Sequence, residues 1–283
     1  MPARSIFARS TMKIFSHIIP KLEDWPIAVF HSDRQRVVKK LTAETVNALK
    51  KDPELVNYLN QTIYGEKLRT KSNPLKVDPP KEYDYWKKIE SDLGEAVRED
   101  VDSSEVHLEL LNKIVHRYAE EIVGDFRPKT FKFVRKATTA IFKLLLNPFK
   151  GKGQGFFWGS KESLLRRIKM RGPIEDIRSL FDKGTVLVLP THFSNLDSLA
   201  VGYSIDMLSG MPFFSYGAGL NLYDQELFAY YMSRIGTYKI DRRKRNPIYR
   251  KTLSQFSTVG IQEGLNSIFS VSYTHLRAHE TLR

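Results

Sequence analysis

Two groups of residues carry the chemistry that this sequence can offer. The first is Thr191-His192-Phe193-Ser194-Asn195-Leu196-Asp197, directly after the apolar run Thr185-Val-Leu-Val-Leu189. An imidazole can act as a general base near neutral pH. A carboxylate accepting from one ring nitrogen fixes the tautomer and raises the basicity of the other. Five residues of continuous helix advance about 500°, so His192 and Asp197 meet only if the chain turns between them. Ser194 and Asn195 suit such a turn and the cap of a following helix. On spacing alone, a structural histidine beside an unrelated acid is the more ordinary reading. The second group is Ile235-Gly236-Thr-Tyr-Lys239-Ile-Asp-Arg242-Arg243-Lys244-Arg245. A guanidinium fork matches phosphate oxygens, often in bidentate contact. A solvated basic loop, or a grip on a nucleic-acid backbone, fits these residues equally well.

The elements that must position both groups follow from the patterning. Thr185–Leu189 is short, uniformly apolar and bounded by Gly184 and Pro190, as expected of a strand buried on both faces. A helix is expected over 197–209, a strand over Met211–Tyr216, a helix over 222–235 and a strand over Thr237–Ile240. Asn246-Pro247 then opens a further helix, with Asn as cap and Pro at its first position, and Ser267-Ile-Phe269 begins another strand. Such alternation predicts an α/β fold, a mostly parallel sheet with crossover helices, in which ligands sit beyond the carboxyl ends of the strands. Residues 161–182 read as the helix that leads into it.

The preceding sequence is helical and polar over 23–128. Leu41-Thr42-Ala43-Glu44 reads as a helix start with Thr42 as cap, and residues 71–82 form a proline-rich break. Val106, Leu110, Ile114, Tyr118 and Ile122 recur every four residues, which predicts an amphipathic helix ending at Gly124. Over 129–149, Phe131, Phe133, Ile141, Phe142 and Leu144–Leu146 alternate with Lys132, Arg135, Lys136 and Lys143, and no acid occurs. A helix of this kind suits a membrane interface as well as it suits a core with a basic solvated face. Gly151-Lys-Gly-Gln-Gly155 lacks the strand before it and the Gly-Lys-Ser/Thr after it that a phosphate loop needs, and reads as a flexible linker. The organisation expected is a helical region over 1–128, a basic helix and linker over 129–160, and an α/β domain over 161–269.

The 283 residues carry 45 Lys+Arg against 32 Asp+Glu, a formal charge of +13, which favours a polyanionic partner. With no cysteine, a disulfide scaffold, a thiolate zinc site and a cysteine nucleophile are excluded. No run of 18 apolar residues occurs, so no transmembrane helix is expected. The first 22 residues hold Arg4, Arg9, Lys13 and Lys21 without an acid. They read as a basic, surface-seeking start rather than a secretory signal, since Ile14–Ile19 is too short and too polar for one. At the other end, Val271-Ser-Tyr-Thr-His275-Leu-Arg-Ala-His279-Glu-Thr281 resembles a translated sequencing-library adapter, so 270–283 are set aside from fold reasoning, the His275/His279 pair included.

Together these motifs resemble the glycerolipid acyltransferase superfamily, which includes glycerol-3-phosphate and lysophosphatidate acyltransferases. Its first motif, His-x4-Asp, matches His192 to Asp197 after an apolar strand. Its second, a Gly, an apolar stretch and an Arg, matches Gly236 through Ile240 to Arg242. The helix from Asn246 also looks like the family, and the likeness covers about residues 180–269. The resemblance implies acyl transfer from acyl-CoA or acyl carrier protein to the hydroxyl of glycerol 3-phosphate, with no metal or bound cofactor. His192 would be the base and Asp197 its orienting partner. Gly236, Lys239, Arg242 and Arg243 would form the phosphate site. Lysophosphatidate is the alternative acceptor and dihydroxyacetone phosphate a third. An anionic membrane surface is the expected partner, with a peripheral location on the cytoplasmic face. Non-catalytic membrane binding is the rival reading. A nucleic-acid partner is not expected, because no binding motif or stacking platform accompanies the charge. The family's third motif would follow Ile268-Phe269, where the adapter-like run begins instead. The resemblance therefore implies a sheet left incomplete by truncation, and a chain lacking part of its phosphate and donor sites.

Overall fold

The computed structural model describes residues 15–98, 103–146, 164–165, 167–192, 195–223, 226–269 and 271–272. The basic start before Phe15, the glycine-rich segment 151–155 and the two tail histidines lie outside these.

The helical region comprises α1 (Pro26–Phe30), α2 (Arg34–Leu49), α3 (Leu55–Ser72), α4 (Glu82–Arg98), α5 (Ser103–Ile122) and α6 (Pro128–Leu146). Leu110, Ile114, Tyr118 and Ile122 of α5 are all buried, as their four-residue spacing requires. The break after Ser72 falls in the proline-rich segment. The cap expected at Thr42 is not one. The helix starts eight residues earlier, where Asp33 accepts from the Arg36 N–H, and the Thr42 hydroxyl donates to the Val38 carbonyl within α2. Arg34, at the start of α2, donates to the carbonyls of Glu120 and Val123 and so satisfies the free end of α5.

The second half is an α/β fold: α7 (Ile174–Ser179), β1 (Leu187–Val188), β2 (Thr191–His192), α8 (Asn195–Met207), β3 (Ser215–Gly219), α9 (Glu226–Met232), β4 (Tyr238–Ile240), α10 (Pro247–Gln262), β5 (Ser267–Ile268) and β6 (Val271–Ser272). The four-stranded sheet has the order β1-β5-β3-β4 and every pairing is parallel; β2 pairs with β6, also in parallel. Leu187 faces Ser267 and Thr191 faces Val271, the same offset of 80 residues, so β2 and β6 prolong β1 and β5 without a register slip. Pro190, which has no N–H to give, lies in the interruption.

One face of the sheet packs on α7 and α8 through Val186, Ile205, Phe214 and Ile268. The other carries Tyr238, which joins Phe256 and Val259 of α10 in a cluster continuous with the helical core around Trp86, Ile114 and Tyr118. The expected burial of β1 on both faces does not hold. Leu187 and Leu189 are 43% and 65% exposed, because β1 is the outer strand and no described helix covers that side of it. The expected Met211–Tyr216 strand lies four residues further on at Ser215–Gly219, and the aromatic run before it supplies Phe214 to the core instead. Asn246 caps α10 from the Tyr249 N–H, with Pro247 at the first position, as the sequence predicts. Among the described residues no helix is long and apolar enough to cross a membrane.

Candidate active site

His192 ends β2, and α8 starts three residues later with Asp197 in its first turn. The two are therefore not on one continuous helix. Asn195 is the first residue of α8; Ser194, the other residue expected to make the turn, lies outside the described set. The register fixes the height of His192 in the sheet. Leu187 of β1 pairs with Ser267, Ser267 with Ser215, and Gly219 with Ile240, and His192 lies five residues on from Leu187. Carried across the strands, this puts His192 on the same row as Asp241, one residue short of Arg242. β1/β2 and β4 are the outer strands, three spacings of ~4.8 Å apart, so the two positions stand about 14 Å apart across the carboxyl end of the sheet.

The four residues expected to hold a phosphate have separate fates. Arg242 is exposed and makes no ion pair with a described residue. Arg243 turns the other way. Its Nε and Nη2 donate to the two oxygens of Asp241 at 3.0 and 2.8 Å, its Nη2 and Nη1 to those of Asp78 at 2.5 and 3.2 Å, and its Nη1 to the Asn73 carbonyl at 2.7 Å. A guanidinium has five N–H groups, and here all five are taken. Arg243 thus ties the loop after β4 to the loop after α3 and has no donor left for a ligand. Burial pushes its pKa down, but the hydrogen bonds it donates to Asp241 and Asp78 win, and it lies above its ordinary value.

Lys239 is half-buried with its ammonium 5.2 Å from the Tyr223 ring centre. It lines a cavity on the outer flank of β4 to which Asp241 also contributes and Arg242 does not. Burial lowers its pKa, offset in part by Glu121.

Gly236 serves packing. It has φ +80°, and a Cβ there would lie 2.2 Å from Cδ1 of Ile27. Its N–H donates to the Asp125 carbonyl, while Arg127 N–H donates to the Arg234 carbonyl, an antiparallel contact that fastens the α5–α6 link to the approach to β4. Gly236→Ala is expected to destabilise by about 2–4 kcal/mol. Left-handed backbone costs an L-residue about 1–2 kcal/mol and overpacking about 1–3. Urea unfolding would measure it, and a loss under 1 kcal/mol would show that Ile27 yields freely.

Sequence reasoning missed the polar layer behind these residues. Arg69 is 6% exposed and meets Glu66 at 2.7 Å, Asp78 at 2.9 Å and Glu82 at 3.3 Å. Arg117 pairs with Glu82, and Lys244 with Glu121. Asn246 donates to Glu66 and to the Tyr118 hydroxyl. The charge-rich, mostly helical sequence gave one signal, an excess of both signs over 66–121, but not the partners. Among the described residues no group of three or more His, Asp or Glu side chains is placed to hold a metal ion. No family model matches the chain, and no curated protein matches it.

Proposed function

We propose that this chain belongs to an acyltransferase that esterifies the hydroxyl of glycerol 3-phosphate from an acyl thioester. The observation that carries the reading is the register. His192, with Asp197 in the first turn of the next helix, stands level with Asp241, the neighbour of Arg242, at the carboxyl end of an all-parallel sheet. That is where such sheets hold ligands. The gap of about 14 Å suits an arginine reaching inward, a three-carbon phosphate and an imidazole in series. In this reading His192 takes the proton of the acceptor hydroxyl. The oxygen attacks the thioester carbonyl, the C–O bond forms as the C–S bond breaks, and the proton returns to the departing thiolate. Arg242 holds the phosphate. Arg243 braces the loop that carries Arg242, and Gly236 and Lys239 have no part in the acceptor contact.

The test supplies radiolabelled glycerol 3-phosphate, lysophosphatidate and dihydroxyacetone phosphate, with acyl-CoA or acyl carrier protein, to the chain. Labelled product from glycerol 3-phosphate is expected. Transfer only to lysophosphatidate would overturn the acceptor, and no transfer to any acceptor would overturn the activity.

The same reading places the protein on the surface of an anionic membrane, where its products reside. Helix α6 supports this with two apolar faces. Phe131 and Phe142 are buried against the body, while Phe133, Ile141, Leu144 and Leu145 are 45–55% exposed on other sides. Lys129 and Lys136 flank them in the open, and the exposed Lys132 pairs with Glu23 at 3.5 Å. Arg135, by contrast, is spent on the buried Asp206. Burying each apolar side chain in lipid contributes about 1.5–3 kcal/mol when complete, and each lysine about 1 near anionic lipid. Phe133→Ser with Leu144→Ser is therefore expected to weaken binding to phosphatidylglycerol vesicles at least tenfold in a sedimentation assay. Unchanged binding would remove α6 from the membrane contact.

A further inference from the structure

A cavity of about 650 Å³ lies on the outer flank of β4, walled by the 76–79 loop, the last turns of α5, Leu220, Tyr223 and residues between Ala229 and Arg234. Arg242 does not line it, and the sheet separates it from His192. Its charges are unequally committed. Asp78 and Asp241 are held by Arg243, Glu120 by Arg34 and Glu121 by Lys244. Lys76, Arg234 and Lys239 have no described carboxylate within ion-pair distance. Arg234 lies over the Tyr230 ring at 3.9 Å and donates only to neutral oxygens, those of the Tyr230 carbonyl and the Ser233 hydroxyl. Three cations with unclaimed charge on one concave wall select an anion.

Two further lining residues, Arg117 and Glu121, face each other as an ion pair, Nε to Oε1 at 3.9 Å, and so leave the three cations as the uncommitted charges of the wall. The volume is of the size that takes a whole small molecule rather than one phosphate ion.

We propose that this cavity is a second binding site, for a phosphorylated small molecule such as a sugar phosphate, with Lys76, Arg234 and Lys239 holding its phosphate. The site joins the helical region to the sheet edge and does not depend on the acyl-transfer reading.

Isothermal titration of the full chain with glucose 6-phosphate at low ionic strength tests it, since screening weakens partly exposed cations. Saturable binding is expected, weakened at least tenfold in Lys76→Ala with Lys239→Gln and unchanged in Arg242→Ala. Lys76 is exposed on a loop and Lys239→Gln keeps the side-chain length, so both variants should fold, and circular dichroism checks this. Arg234→Gln, whose removed contacts are local, is the second variant and should weaken binding likewise. Absence of saturable binding, equal affinity in the folded variants, or loss in Arg242→Ala would each overturn the proposal.

Discussion

His192→Ala is expected to lower kcat/KM for acyl transfer by about 10²–10⁴-fold, the range that a positioned general base contributes. His192 ends a two-residue strand, so the backbone pairing with Ser272 does not need its side chain, and the far-ultraviolet dichroism should persist. Asp197→Asn separates a base from a bystander. If the carboxylate supports the imidazolium, its loss lowers the pKa of His192, and the acid limb of the kcat/KM profile moves to lower pH as the rate falls. Full activity in His192→Ala, or a profile unmoved in Asp197→Asn with the rate intact, would end the reading in which this pair does the chemistry.

Arg69→Met should cost about 3–5 kcal/mol, a large fraction of the roughly 5–15 kcal/mol that a folded domain possesses. The apolar volume is nearly kept, so the loss is electrostatic. Glu66, Asp78 and Glu82 are 10% exposed or less and would lose their shared cation. Burial pushes the Asp78 carboxyl up, but hydrogen bonds from Arg243 and the Leu75 N–H and the charges of Arg69 and Arg243 hold it below its ordinary value. A depressed carboxylate adds stability above its unfolded pKa, near 4, that is lost as pH falls below it. Without Arg69 that contribution shrinks, so the variant should lose less on acidification than the parent. Urea unfolding at pH 7 and pH 3 reads both effects. A loss under 1 kcal/mol at pH 7 would mean that water reaches these groups and the layer is not dry.

What the sequence disclosed followed the range of the physics involved. Local rules held where the determinant is local. The four-residue spacing of α5 became its buried stripe, and Asn246-Pro247 became a cap and first turn. The helix start at Thr42 failed because a better-placed acceptor, Asp33, lies upstream and threonine bonds equally well inside a helix. The strand at Met211–Tyr216 failed because aromatic residues score as strand although their burial can be met by a loop. The true strand, Ser215-Tyr-Gly-Ala-Gly219, reads poorly, yet close neighbours require its glycine at 217, where a Cβ would lie 2.5 Å from Ile240 Cδ1. The order of the basic cluster was legible, and its division of labour was not. Arg243 answers to Asp78, 165 residues away, and no spacing rule reaches that far. The cavity on the flank of β4 was invisible for the same reason, since Lys76 and Lys239 meet only once the helices fold over the sheet edge.

The apolar cluster that runs from Trp86 and Tyr118 through Tyr249 and Phe256 to Tyr238 joins the helical region to α10 and β4 without a break. A change deep in the early helices is thus felt by the strand that presents Arg242, and the helices act as a chassis, with drift in one half having to be matched by the other if the mouth of the sheet is to keep its width.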